Sequence, residues 1–189
     1  MLDVLLIAGQ ILLGLWVADL GTGLFHWLVD NYCDPDWPIL GPFHIRNSHR
    51  HHTAPMELFQ LPPLLKHGGI VSVVSLVALG LTLAGWMNPM LASACMFGAL
   101  TNLIHGWSHT PAEQNGPVIT ALHRLGLFQS QSHHVHHHSG ASDTHYCLLT
   151  DHVNPLLEGL KVWPRLEMIV ATLGIRRQYW LNRPEVTRT

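Results

Sequence analysis

The chain is poor in charge. Only 12% of its 189 residues are Asp, Glu, Lys or Arg, while 48% are hydrophobic; ordinary soluble domains carry about a quarter charged residues. This imbalance excludes an ordinary soluble surface and points to a membrane. The formal net charge of −2 gives no electrostatic basis for binding nucleic acid. Cysteine is scarce as well. Cys33, Cys95 and Cys147 are scattered and form no C-x-x-C pair, which excludes a cysteine-based zinc framework and leaves them reduced or simply buried. The C-x-x-C-H haem motif is missing, and so are the glycine fingerprints of flavin and nicotinamide sites. There is no internal repeat, and no basic segment of the signal-peptide kind precedes the first apolar run, which is too long for one. The length suits one domain.

Histidine is what the chain has in excess, at 16 residues. The densest stretch, SQSHHVHHHSGASDTHY at 130–146, is internal and interrupted, unlike a purification tag. Inside it His134, His137 and His138 form H-x-x-H-H. Positions i, i+3 and i+4 share a helical face, yet adjacent residues diverge by about 100°. Such a triplet can offer one imidazole to one metal and another to a neighbouring metal. The adjacent pair His51 and His52 has the same divergence. His105 and His109 lie i, i+4 on one face.

Three apolar stretches, near residues 4–29, 68–87 and 90–107, are long enough for membrane helices. The first carries Asp19, His26 and Asp30 within about 20° of one line on the helix, and ionisable groups aligned in a membrane helix suggest a site. The proline-rich connection holds His44 and His49 besides the 51–52 pair. His44, His49 and His67 read as residues of a solvated loop. Beyond Pro111 a short amphipathic run at 118–128 is too short to span, and 156–175 reads as one or two helices lying on the membrane surface. The last residues read as a partly disordered tail. Three crossings put the ends of the first and third helices on one side, together with every histidine pair. All ten Lys and Arg residues fall on that side, which makes it cytoplasmic. The expected fold is therefore all-α, an integral membrane protein with about three transmembrane helices. A cytoplasmic histidine-rich cap, 30–67 and 111–177, completes a single domain over 1–189.

Four separated segments supply about twice the four ligands of a structural zinc site, so two metals sharing a pocket fit the count. Imidazole suits iron, zinc, copper and nickel alike and does not choose among them. Breaking an unactivated C–H bond of a lipid chain requires a metal and oxygen, because no side chain can do it. Electrons must then come from another protein.

The segments ADLGTGLFHWLVDNY, RNSHRHHTAP, IHGWSH, HVHHHSGASDTHYC and LEMIVATLGI, spread over most of the chain, give it a specific resemblance. It resembles the membrane lipid desaturase family that contains plasmanylethanolamine desaturase and a plant chloroplast phosphatidylglycerol acyl desaturase. The resemblance implies an oxygen-dependent di-iron lipid desaturase, an oxidoreductase fed by cytochrome b5 or ferredoxin through a reductase. Zinc could replace iron on overexpression. The implied metal ligands are His26, His51, His52, His105, His109, His134, His137 and His138. Asp30 matches the family's acidic residue and is cast as a ligand or as an orienter of an imidazole. His133 is a plausible ninth ligand, and Asp143 matches a polar or acidic position whose role stays open. His136 and His145 are read as surface residues. The substrate would be the alkyl or acyl chain of a membrane phospholipid. Trp16, Phe25, Trp27 and Trp107 are candidate walls for it.

Two other readings use the same residues. A membrane hydroxylase would share ligands and oxidant and differ in product. A metal transporter would need polar groups near mid-membrane on several helices, where only Asp19 comes close.

Overall fold

The computed structural model describes residues 1–139 and 142–178, and among these no strand occurs. The expected tail lies largely outside the described residues. Helix α1, Leu2–Tyr32, buries one stripe that includes Leu15, Ala18, Asp19, Thr22, His26 and Asp30. Its outward residues Leu5, Leu6, Leu20, Leu24 and Leu28 are exposed. A soluble amphipathic helix has the opposite arrangement, with polar residues outside. A π-helical turn at Gly41–Ile45 runs into α2, Arg46–His51, and α3 is the single turn Glu57–Gln60.

Helix α4, Pro63–Leu83, starts five residues before the apolar run that announces it. Pro63 supplies the preset φ of a first helical residue, so the helix begins at the proline and takes in Lys66 and His67. It ends at Gly85, whose φ of +70° allows the left-handed turn that a side chain would resist. Asn88 then caps α5, Pro89–Ala99, by accepting from the Leu91 N–H at 3.0 Å. Helices α1 and α4 are each long and apolar enough to cross a membrane. The third expected span is interrupted at Leu100 (φ −86°, ψ 1°), beyond which α6, Thr101–Ser108, continues in a new direction.

Helix α1 lies along α5. A Cβ at Gly14 would collide with the Met90 carbonyl, and the Ser93 hydroxyl donates to the Ile11 carbonyl at 2.8 Å. Helix α4 covers the other side of α5, with Val74 against Gly98. The remaining elements cap one end of this three-helix layer. They are α7 (Ala112–Arg124, kinked at Gly116), α8 (Gln131–His134), α9 (Val153–Gly159) and α10 (Val162–Thr172). Between α8 and α9, residues 145–150 run as non-helical chain across α1, turning at His145 (φ +57°). Asp19 holds them there, accepting from the N–H groups of Leu149 (2.7 Å) and Thr150 (3.0 Å) and from the Thr150 hydroxyl (2.6 Å). Two apolar clusters flank this seam. Leu15, Ala18, Ile104 and Leu149 form one; Trp27, Tyr146, Cys147, Leu157 and Trp163 form the other.

Candidate metal centre

Eight imidazoles and one carboxylate converge where the cap meets the helix ends, in two adjoining groups. His51, His105, His109, His134 and His138 form the first; His26, Asp30, His52 and His137 form the second. The adjacent pairs divide between them. His51 and His138 turn to the first group while His52 and His137 turn to the second, as the divergence of neighbours on a helical turn requires. Helix α8 has only one turn. It continues through i to i+3 bonds, His136 N–H to His133 and His137 N–H to His134, which keep His134, His137 and His138 close together. The bend at Leu100 aims α6, so that His105 and His109 meet the cap.

In the first group His105 is central. Its Nε2 lies 3.1 Å from Nε2 of His51, 3.0 Å from that of His134 and 3.1 Å from that of His109, and His138 is 3.0 Å from His134. A ring nitrogen has one in-plane position, holding either a proton or a lone pair. One Nε2 cannot serve three partners, so these contacts are not all hydrogen bonds. Around a cation they have a simple meaning. With metal–nitrogen bonds of about 2.1 Å, ligands at right angles stand about 3.0 Å apart.

The second group is organised on Asp30. Its Oδ2 lies 3.2 Å from His26 Nε2, 3.0 Å from His52 Nε2 and 3.6 Å from His137 Nε2. Two of those rings have fixed tautomers. His26 Nδ1–H donates to the Tyr146 carbonyl at 3.0 Å, and His137 Nδ1–H donates to the Thr144 carbonyl at 2.8 Å. If neutral, both rings turn Nε2 lone pairs toward a carboxylate at very low exposure, so positive charge, a proton or a metal ion, has to sit among them. His51 is held in the same way, by the Pro55 carbonyl at 2.9 Å. Such outer hydrogen bonds are what orient imidazole ligands toward a metal. Burial, reinforced by the neighbouring rings, keeps five of the imidazoles neutral. His138 is pushed down to about 2, His137 to about 3 and His109 to about 4, with His51 and His134 well below the usual range. Neutral imidazole is the ligating form. The residues present thus fit metal ions.

Other histidines stand apart. His133 joins neither group; its Nε2 meets Asn154 Nδ2 at 3.2 Å. Asp143 is exposed and lies in neither group. His136 stacks on His145 at 5.2 Å between centroids. His49, expected in a solvated loop, is instead buried at 1% exposure, with Nε2 donating to the Val29 carbonyl at 3.0 Å. The loop folds back against the end of α1, and a carbonyl there takes the imidazole. His44 is partly buried against Phe25. Asp19 was legible as a site marker, and its place is structural, on the 145–150 segment.

Apolar helices that gather imidazoles and a carboxylate into two neighbouring donor groups define a histidine-rich helical protein able to hold metal ions. The chain belongs to the lipid desaturase domain family, whose model matches residues 15–180. It is 30% identical to fatty acid desaturase 4-like 2, chloroplastic, of Arabidopsis thaliana over 88% of this chain and 61% of that protein. It is likewise 30% identical to plasmanylethanolamine desaturase 1 of Mus musculus, over 85% of this chain and 63% of that protein. It is 26% identical to plasmanylethanolamine desaturase of Myxococcus xanthus, over 87% and 60%. The chain thus spans about three fifths of the length of these relatives. No solved structure matches it.

Proposed function

We propose that the protein is an oxygen-dependent membrane lipid desaturase with two iron ions, and that it places a double bond in the hydrocarbon chain of a phospholipid. The observation that supports this most directly is the pairing of two donor groups through His51–His52 and His137–His138 in a chain of this family. His51, His105, His109, His134 and His138 would hold one ion, and His26, His52, His137 and Asp30 the other. When bound, iron supplies the oxygen activation and C–H cleavage that no side chain can perform. The chain's own residues do the rest. The carbonyls of Pro55, Thr144 and Tyr146 fix tautomers so that lone pairs face inward. Asp30 provides the negative charge that offsets part of the metal charge. Burial of the rings limits water at the site.

The balance is closed. The chain gives up two hydrogens, an external donor gives two electrons with two protons from solvent, and dioxygen leaves as two waters. The donor is a cytochrome b5 or ferredoxin with its reductase, since the sequence has no motif for a redox cofactor of its own. Helices α1 and α4, with α5 and α6 as a third crossing, would place the histidine face on the cytoplasmic side, where the lysines and arginines also gather.

Purified protein loaded with iron, given oxygen, reduced donor and mixed phospholipids, should yield a lipid lighter by two hydrogens and carrying no added oxygen. Zinc, favoured over ferrous iron by intrinsic affinity, should bind on overexpression without supporting turnover. An oxygenated lipid as sole product would make the enzyme a hydroxylase, and turnover without oxygen would remove the oxidative mechanism.

A further inference from the structure

The histidine groups open onto an apolar groove between α1, α4 and α5. We propose that this groove holds the hydrocarbon chain of the lipid substrate, methyl end away from the histidines, and that Gly21 keeps it open. The inference rests on the lipid desaturase reading above.

A chamber of about 40 Å³ is walled by His51 and His105 of one donor group and His26 of the other. Thr22, Phe25 and Ile70 also line it, and the same three residues line a larger cavity of about 240 Å³. They form a neck joining the two. Beyond the neck the larger cavity follows α4 from Ile70 to Leu81, which at 1.5 Å per residue is about 16 Å. Its walls contain no charged residue. The Thr22 hydroxyl is already donated to the Asp19 carbonyl at 2.9 Å, so it offers the lumen no free donor. A polar ligand would lose its hydration here without replacement. A hydrocarbon chain loses nothing, and a long one can lie in the groove while a few of its carbons pass the neck to the donors. The outward faces of α1 and α4 are apolar, so the chain reaches the groove sideways, without crossing water. Of the four aromatic residues expected as walls, Phe25 alone lines either cavity. Trp27 packs with Tyr146 and Trp163, Trp107 stacks on Phe128, and the Trp16 indole donates to His152.

Gly21 is where the groove can be filled without disturbing the fold. A Cβ there meets nothing within 4 Å. Gly9, on the same helix, is equally open and lies outside the groove. Gly21→Phe and Gly9→Phe are therefore a matched pair, and both proteins should bind about two metal ions by the ligand count. Desaturation of long chains should fall at least about tenfold in Gly21→Phe, with shorter chains less affected, and stay essentially unchanged in Gly9→Phe. Equal rates and equal chain-length profiles in the two variants would overturn the groove.

A second readout is independent of turnover. A phospholipid with a diazirine near the methyl end of one acyl chain is photolysed on metal-free protein. Cross-links should concentrate on peptides holding Val73, Val77 and Leu91 and drop several-fold in Gly21→Phe. Labelling spread evenly over the outer faces of α1 and α4 would sink the proposal. Concentrated labelling in a protein that desaturates no lipid would keep the groove and remove the desaturase reading.

Discussion

The two donor groups are built on different physics. The group around His105 is made of imidazoles alone, and three of its rings, His105, His134 and His138, have buried Nδ1 atoms without a hydrogen-bond partner among the described residues. Only His51 is tied to a carbonyl among the bonds that orient rings there. The group around Asp30 contains the one carboxylate, and two of its three rings are tied to the backbone at Thr144 and Tyr146. One group is neutral and loosely oriented, the other anionic and anchored. A metal ion gains both electrostatic attraction and preorganisation in the second. The two groups should therefore hold their ions with unequal affinity, the Asp30 group more tightly.

The sharpest way to break this asymmetry is Asp30→Asn. It removes the charge and leaves the shape, and it should lower metal content from about two ions to one and abolish turnover. His105→Ala should also abolish turnover, but by emptying the other group. Metal analysis under a graded chelator separates them: in the parent protein one ion should leave before the other, and the resistant ion should be missing in Asp30→Asn. If both ions leave together in the parent protein, the asymmetry is wrong. Full activity in either variant would show that the site is misassembled.

A smaller effect is expected from Asp19→Asn, which touches no donor. Asp19 pins the seam whose Tyr146 carbonyl orients His26 and which follows directly on Thr144, whose carbonyl orients His137. The Asp30 group should lose about 10- to 100-fold in metal affinity, the size usual for outer-sphere partners, while the His105 group keeps its ion. Unchanged affinity at both groups would deny the seam this role.

The smallest effect is one of acid on the metal-free protein. Burial lowers the imidazoles of His51, His109, His134, His137 and His138, so the folded chain refuses protons that the unfolded chain accepts below the usual value near 6.5. With more protons bound in the unfolded state, stability rises with pH through this range. It is full above about pH 6.5 and is lost as pH falls toward the folded values, about 4 for His109. The Tm of metal-free protein should drop steadily between about pH 7 and 5. A flat profile would mean that the rings protonate freely in the fold.

The pairs of histidines, and their division between two groups, could be read from the sequence because that geometry is local. A divergence of about 100° between neighbours holds on any helical turn. The same locality placed α1 and α4 by their apolar runs. What could not be read is tertiary. His49 and His51 are two residues apart in one polar loop, and only the docking of that loop on α1 sends one to the Val29 carbonyl and the other to the donors. His133 sits beside His134, yet the return of the chain at Asn154 takes its ring away. The break at Leu100 is marked only by Gly98 and by Thr101, whose hydroxyl donates to the Gly98 carbonyl at 2.7 Å, too slight a signal to divide an apolar run. Asp19 was visible as a costly residue in an apolar helix; that it serves a backbone 130 positions away was not.

That reach has a consequence in time. Residues 145–150 must leave the ribosome before Asp19 has a backbone to hold and before the Thr144 and Tyr146 carbonyls exist to set His137 and His26. Both donor groups also draw on residues from 134 to 138. A chain interrupted before that point has its first helix, its groove wall at Gly21 and five of the eight donor histidines, but neither group is complete. The long apolar helices can therefore form well before both donor groups are complete.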